Sequence, residues 1–285
     1  MKKLLYLLIL SSFTFAKTNI IVSILPQKTF VDKIGGEQVH TVVMVKAGAS
    51  PHNYEPKPSQ MREITNANLY FSIGVEFEKI WLEKFKNQNK NLMVIDISKD
   101  VNKSAMQREH QCTHEHHHNH EADVKNKDPH IWVNPMNVKQ IVQNIYETLS
   151  KIEPNNRAFY KKNLTAYLKE LDALDETIKN ILKETPKGST FMVFHPAWGY
   201  FAKRYNLKQL PVEVEGKEPK MKALVQLMKQ AKKEKVQAIF TQPEFSDKSA
   251  NIIANNLNIK VIKASPLAKD WAENLTNLAK AISNK

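Results

Sequence analysis

The chain has 285 residues, a formal net charge of +13 and 42% hydrophobic residues, enough apolar material for one large domain or two smaller lobes. It contains only 7 glycines and no glycine-rich phosphate-binding sequence, so we do not expect a nucleotide-binding loop. Its lysines are dispersed and no aromatic–basic platform accompanies them, so we expect no nucleic-acid partner.

The N-terminus has the pattern of a signal peptide. Lys2 and Lys3 precede an apolar run over residues 4–15, and a small-residue cleavage site ends at Ala16. A first core strand or helix is the alternative, which the two lysines disfavour. The run is too short to cross a membrane comfortably, so we expect residues 1–16 to be removed and the protein to be exported without spanning the membrane.

Strands and helices then alternate along the first half of the chain. The predicted strands cover residues 19–25, 39–45, 69–73 and 92–97. We expect the last of these strands to be buried as well. The predicted helices lie around residues 30–34 and at 59–67, 77–85 and 138–149. Three prolines stiffen the loop over residues 46–58 and prevent a helix between positions 51 and 58.

A long helix is predicted from Pro154, because apolar residues recur at steps of three and four until the breaker Pro186-Lys187-Gly188. About 30 residues at 1.5 Å each give roughly 45 Å, a natural length for a strut between two lobes.

The second half repeats the alternation. Its predicted strands are 190–194, 210–214, 238–241 and 260–262, and its predicted helices are 198–205, 220–235, 247–257 and 270–282. The fold class is therefore α/β, with two lobes that each hold a parallel-type sheet flanked by helices, joined by one long rigid helix. We expect an N-terminal lobe over 17–153, the linking helix over 154–186 and a C-terminal lobe over 187–285. Ligands of such sheets bind outside the carboxyl ends of the strands, here in the cleft between lobes.

A polar, histidine-rich run at residues 107–127 predicts a loop without fixed structure. It carries six of the ten histidines: His110, His114, His116, His117, His118 and His120. Clustered imidazoles bind zinc readily, so the run is a candidate secondary metal store, or else a solvated loop with no essential role. The single cysteine, Cys112, either joins in metal binding there or is an incidental thiol.

Three further histidines share a rigid context at junctions between loops, strands and helices. His52 lies in the proline-rich loop, His130 follows Pro129, and His195 ends a predicted strand and precedes Pro196. His40, at a strand edge, is interpreted as structural or exposed. Because rigid flanks suit a preformed metal site, His52, His130 and His195 are the candidate ligands, and three imidazoles suit zinc. The fourth zinc position needs a water or a carboxylate.

Three phrases resemble the ZnuA-type zinc-binding proteins of bacterial ABC importers, within the cluster of metal-receptor solute-binding proteins. They are Gly48-Ala49-Ser50-Pro51-His52-Asn53-Tyr54-Glu55-Pro56-Lys57-Pro58, Asp128-Pro129-His130-Ile131-Trp132-Val133-Asn134-Pro135 and Phe194-His195-Pro196-Ala197-Trp198-Gly199-Tyr200-Phe201-Ala202. The histidine-rich insertion is also typical of the zinc members, and the resemblance covers the whole mature chain.

The resemblance implies a periplasmic receptor that binds Zn2+ with high affinity and delivers it to a membrane permease and its ATPase. We expect a monomer without catalytic residues, although the sequence itself does not determine the oligomeric state. Manganese receptors of the cluster generally carry an acidic residue where this chain has His195, which favours zinc. A manganese or iron receptor of the same fold is the alternative, and a three-histidine zinc enzyme is a more distant one, since no general base accompanies the histidines.

The chain departs from the family pattern in one loop. Ser265 stands where the family usually has an aspartate close to the metal. The fourth ligand is then a water, or else Asp270 or another carboxylate from the rim of the cleft. We expect Glu55, the carboxylate nearest to a ligand in sequence, to hydrogen-bond a ligand imidazole or a loop amide.

Overall fold

The computed structural model describes residues 17–106, 127–214 and 216–283. The predicted signal peptide and the six clustered histidines lie outside these residues, as does Cys112. None of the helices in the described part of the chain is both long enough and apolar enough to cross a membrane.

The first half folds around a four-stranded parallel sheet with the strand order β2-β1-β3-β4. Its strands are β1 (Thr18–Ile24), β2 (Val39–Val45), β3 (Leu69–Ser72) and β4 (Met93–Asp96). Its helices are α1 (Leu25–Gly35), α2 (Pro58–Asn66), α3 (Glu78–Gln88) and α4 (Pro135–Ile152). The central strand β1 buries consecutive residues on both faces, Ile20, Ile21 and Val22, as expected of a parallel sheet covered on both sides.

The second half contains a second four-stranded parallel sheet, in the order β6-β5-β7-β8. Its strands are β5 (Thr190–Val193), β6 (Lys208–Pro211), β7 (Ala238–Thr241) and β8 (Lys260–Lys263). The helices that follow the linking helix α5 (Arg157–Leu182) are α6 (Gly199–Arg204), α7 (Met221–Lys233), α8 (Lys248–Leu257) and α9 (Trp271–Ser283). The two sheets share one strand order, and the α/β fold with two sheets joined by a long helix confirms the predicted fold class.

Two strand predictions are wrong in detail. The strand predicted as buried at 92–97 is β4, an edge strand, and Met93 is 42% exposed because only one neighbour pairs with it. The strand predicted at 210–214 ends at Pro211. Beyond it the amide of Glu213 donates to the carbonyl of Phe194 at 3.0 Å, so the chain leaves the β5–β6 ladder and turns toward the end of β5.

The linking helix is shorter than predicted. Residues Pro154–Asn156 form a 3-10 turn, and α5 then runs for 26 residues, about 39 Å at 1.5 Å each. Its buried face packs against α1, α4 and α9. Near its C-terminal end, Asp175 is 3% exposed and accepts hydrogen bonds from Arg204 Nε at 2.9 Å and Tyr205 Oη at 3.0 Å. The helix is thereby fastened to α6 in the second half.

One hydrophobic core extends from the first sheet across α5 to the inner side of the second sheet. At its centre, Trp132 donates its indole N–H to the carbonyl of Pro266 at 2.8 Å, and Trp271 donates to the carbonyl of Trp132 at 2.9 Å. Both indoles are buried. The two halves are therefore joined by packing and by paired hydrogen bonds, and the domain boundaries at 153 and 187 stay predictions.

Candidate metal centre

The three histidines singled out in the sequence meet at one place, where strand ends of both sheets face each other. His52 lies in the loop after β2, and the carbonyl of the preceding Pro51 accepts the Phe77 amide at 3.2 Å, which anchors that loop to the start of α3. His130 precedes the short 3-10 turn Ile131–Val133 ahead of α4. His195 follows β5. The site is thus at carboxyl ends of parallel strands.

The geometry brings one ring nitrogen of each histidine within 4.8 Å of a nitrogen of the other two. The Nε2 atoms of His52 and His195 are 3.0 Å apart. His130 and His195 are buried, with exposed fractions of 3% and 6%, whereas the His52 side chain keeps 29% of its surface exposed. His52 is therefore the side of the site that faces solvent.

Each imidazole has a carboxylate at its other nitrogen. The Nδ1 atom of His130 is 2.7 Å from Asp128 Oδ1, that of His195 is 3.0 Å from Glu213 Oε1, and that of His52 is 3.1 Å from Glu76 Oε2. A carboxylate accepts the Nδ1–H proton and leaves the Nε2 lone pair free for a metal. This is the arrangement that orients histidine ligands in metal sites.

The prediction that Glu55 hydrogen-bonds a ligand imidazole is wrong. Glu55 is exposed, and among the described residues the carboxylate that contacts His52 is Glu76. Neither Glu76 nor Glu213 gave a sequence signal, because each comes from a distant loop. A sequence signal was available for Asp128, because it stands only two residues before His130. In the structure its Oδ1 also accepts the His130 amide at 2.9 Å.

Neighbouring residues hold these carboxylates and imidazoles in place. The backbone carbonyl of Asp128 accepts from Tyr200 Oη at 2.9 Å, which ties this loop to α6. A side chain on Gly199 would begin 3.1 Å from Asp128 Oδ2, so glycine permits the close approach of that carboxylate. Gln242 donates to the carbonyl of His195 at 2.9 Å and fixes the end of β5 relative to β7.

The protonation equilibria differ between the two ends of the site. Burial lowers the pKa of His52, but contact with Glu76 outweighs it and the net pKa is raised above 6.5. Burial would raise the pKa of Glu76, yet His52 lowers it to about 2. Burial lowers the pKa of His195, and the nearby imidazoles add to that effect against Glu213. The buried end of the site therefore favours the neutral imidazole that a metal requires.

The histidines line a cavity of about 20 Å³ together with Glu244, Gln242 and Pro266. A cavity needs about 10–15 Å³ to hold one water, so this one has room for a single ion or water and not for an organic solute. Ser265 donates its hydroxyl to Glu244 Oε1 at 3.2 Å. Asp270, considered as a fourth ligand from sequence, is exposed and lies elsewhere, beside α1 and the start of α9.

Two α/β lobes joined by a rigid helix, with a cavity of one-ion size between them, define the class of metal-receptor solute-binding proteins. The chain belongs to the ZnuA family, the periplasmic component A of zinc-uptake complexes, whose model matches residues 20–285. Members of this family are solute-binding receptors and not enzymes.

Individual relatives agree with this assignment. The chain is 28% identical over 250 residues to the high-affinity zinc uptake system protein ZnuA of Bacillus subtilis, covering 86% of this chain and 76% of that protein. It is 27% identical over 258 residues to the zinc-binding lipoprotein AdcA of Streptococcus pneumoniae serotype 4, covering 88% of this chain. It spans only 50% of the length of that relative.

Solved structures show the same fold. A crystal structure of ZnuA superposes with a TM-score of 0.86 at 39% identity and covers 94% of this chain and 99% of that one. A ZnuA deletion mutant with zinc bound matches with a TM-score of 0.84 at 39% identity, covering 94% and 98% of the two chains.

Proposed function

We propose that this chain is the high-affinity zinc receptor of an ABC importer. It captures Zn2+ between His52, His130 and His195 in the cleft and delivers the ion to a membrane permease driven by an ATPase. Capture takes place in the periplasm, after removal of the signal peptide near Ala16, and the receptor acts as a monomer.

The observation that carries this proposal is the approach of two imidazole nitrogens. The Nδ1 atoms of His52 and His195 lie 3.1 and 3.0 Å from the carboxylates of Glu76 and Glu213, and their Nε2 atoms face each other across 3.0 Å. When both Nε2 atoms are deprotonated, their lone pairs repel at that distance and a cation between them removes the repulsion; without a metal, a proton on one of them makes a hydrogen bond to the other. Tetrahedral zinc with Zn–N bonds of about 2.0–2.1 Å separates neighbouring nitrogens by about 3.3–3.4 Å. A shift of a few tenths of an ångström therefore brings these two nitrogens to the spacing that zinc requires, and the His130 nitrogen lies within 4.8 Å of both.

The chemistry of the donors favours zinc over manganese. Three neutral imidazoles are borderline ligands that suit zinc, whereas manganese prefers carboxylate, carbonyl and water oxygens. One oxygen of Glu213, Oε2, is buried and has no hydrogen-bond partner among the described residues. A buried, incompletely satisfied carboxylate one ring away from the ion gains from a dication, which supports a 2+ charge at this position.

The histidine-rich run at 107–127 supplies a second, weaker set of sites in this proposal. Its imidazoles bind zinc exchangeably and serve as a store from which the ion is delivered to the three-histidine site. The names of several relatives support zinc as the cargo, since AdcA and ZnuA are both named for it. Another relative, FimA of Streptococcus parasanguinis, is named only as a metal transporter component.

A titration of the mature protein with zinc and manganese, separately and in competition, tests the function. His195→Ala should abolish tight zinc binding. The matched control is His40→Ala, which removes an exposed imidazole outside the site. Preferential binding of manganese would transfer the function to a manganese receptor. Tight zinc binding that survives His195→Ala would refute the three-histidine site.

A further inference from the structure

We infer that Glu244 supplies the fourth metal ligand. This inference rests on the proposed function and extends it to a residue outside the three histidine phrases. Glu244 lies in the loop after β7, and its side chain lines the cavity that the three imidazoles share. It is the one acidic side chain in that lining. Zinc takes four ligands, and the three histidines leave one position to be filled.

The contacts of Glu244 distinguish it from the other carboxylates near the site. Glu76, Asp128 and Glu213 are each engaged with an Nδ1 atom, on the far side of a ring from the ion. Within the described ranges, no ring nitrogen or lysine or arginine nitrogen lies within 4.0 Å of the Glu244 carboxylate. Its side-chain partner there is the hydroxyl of Ser265. Glu244 is thus a half-buried carboxylate at the cavity whose side-chain hydrogen bond, among the described residues, comes from Ser265.

The serine at position 265 explains why its hydrogen bond to Glu244 matters for the fourth ligand. The resemblance to the ZnuA-type receptors aligns Ser265 with an aspartate that lies close to the metal. In this chain the loop at 265 carries a serine, the adjacent loop presents a carboxylate at 244, and Ser265 donates a hydrogen bond to it. The two loops follow neighbouring strands, β7 and β8, so a carboxylate from either approaches the cavity from the same wall.

Coordination requires a local rearrangement. The cluster of possible ligand atoms within 4.8 Å contains the three histidines and not Glu244. The carboxylate must therefore leave Ser265 and rotate toward the ion, which a side chain with three torsions allows. Three neutral imidazoles leave the ion with its full 2+ charge, and direct coordination by a carboxylate reduces that charge where the imidazoles cannot.

The test is the zinc affinity of Glu244→Gln, measured by competition with a chelator of known affinity. Gln keeps the size and the hydrogen bond from Ser265 but is a poor zinc ligand. Loss of a partner that only orients a ligand typically costs 10–100-fold in affinity, so loss of a ligand should cost at least about tenfold. Glu273→Gln, on the exposed face of α9, is the control and should leave affinity unchanged.

A second variant tests whether zinc affinity depends on a carboxylate from either of these two loops. Adding Ser265→Asp to Glu244→Gln restores a carboxylate from the neighbouring loop and should recover most of the lost affinity. The crystal structure of the unaltered protein with zinc gives a direct readout that does not depend on how the variants fold. It should place a Glu244 oxygen about 2.0–2.2 Å from the ion.

The possible outcomes distinguish failure of the Glu244 inference from failure of the proposed receptor function. A water in the fourth position, or wild-type affinity in Glu244→Gln, overturns the role of Glu244 and leaves the three-histidine receptor intact. Zinc binding that is unaffected by His195→Ala overturns the receptor site itself.

Discussion

Replacing Asp128 by Asn removes one negative charge while preserving the size of the side chain. Asp128 is 3% exposed, and its Oδ1 accepts both the His130 ring proton at 2.7 Å and the His130 amide at 2.9 Å. Hydrogen bonds to charged groups contribute about 1.5–3 kcal/mol and neutral ones about 0.5–1.5 kcal/mol. The substitution should therefore weaken the hydrogen bonds that orient His130 by about 1–1.5 kcal/mol.

A loss of about 1.4 kcal/mol is tenfold in an equilibrium constant, and removal of such partners typically costs 10–100-fold in metal affinity. From 1–1.5 kcal/mol we expect Asp128→Asn to raise the zinc Kd roughly 5- to 13-fold in a chelator competition assay at pH 7.5. Urea unfolding without metal should be measured in parallel, so that a change in folding is separated from a change in the site. Asp270→Asn, which alters an exposed aspartate outside the cavity, is the matched control.

Wild-type affinity in a folded Asp128→Asn protein would refute the claim that this carboxylate orients His130. An equal loss of affinity in Asp270→Asn would instead point to a general effect of charge on zinc binding. The expected result is a loss confined to Asp128→Asn, with little change in the unfolding midpoint.

Three further predictions follow from the same structure. Zinc affinity should begin to fall already above pH 6.5 as the pH is lowered, because contact with Glu76 raises the pKa of His52 and protons compete with zinc for neutral imidazole. Isothermal titration between pH 8 and pH 5 measures this, and equal affinity at both ends would contradict it. Asp175→Ala should lower the free energy of unfolding by about 2–3 kcal/mol, less than a fully buried ion pair because Arg204 is 31% exposed. Burial alone would raise the pKa of Asp175, but the hydrogen bond from Arg204 lowers it to about 2 from 3.8, so this contribution should be complete above about pH 4 and lost as the pH falls toward 2. Urea unfolding at pH 7 and pH 2.5 checks both statements, and an equal effect of the substitution at the two pH values would contradict them. Deleting residues 107–127 should remove the weak zinc sites and leave one tight site, and loss of the tight site in the titration would contradict the separation of the two.

Much of the fold could be predicted because the patterns are local. Continuous β-branched runs such as Ile20-Ile21-Val22 predict strands buried on both faces, and the apolar spacing after Pro154 predicts the long helix. The position of a strand at the edge of a sheet is not determined by local sequence. Met93 belongs to an apolar run like that of an inner strand, yet only pairing with other parts of the chain determines which strand lies at the sheet edge.

The residues of the candidate site also fall into those that local sequence predicts and those that it does not. His52, His130 and His195 were found because each lies in a rigid, proline-marked phrase. Glu76 and Glu213 were not, since their contacts depend on where two distant loops end. The strand containing Leu210 stops three residues earlier than its apolar pattern suggests, and that early end is what carries Glu213 to His195.

The paired indoles of Trp132 and Trp271 have a consequence for how the protein melts. Because one core underlies the first sheet and the inner side of the second, neither half encloses its own apolar surface completely. Cutting the gene between the lobes should therefore yield insoluble fragments, and calorimetry of the intact chain should show a single endotherm in place of two.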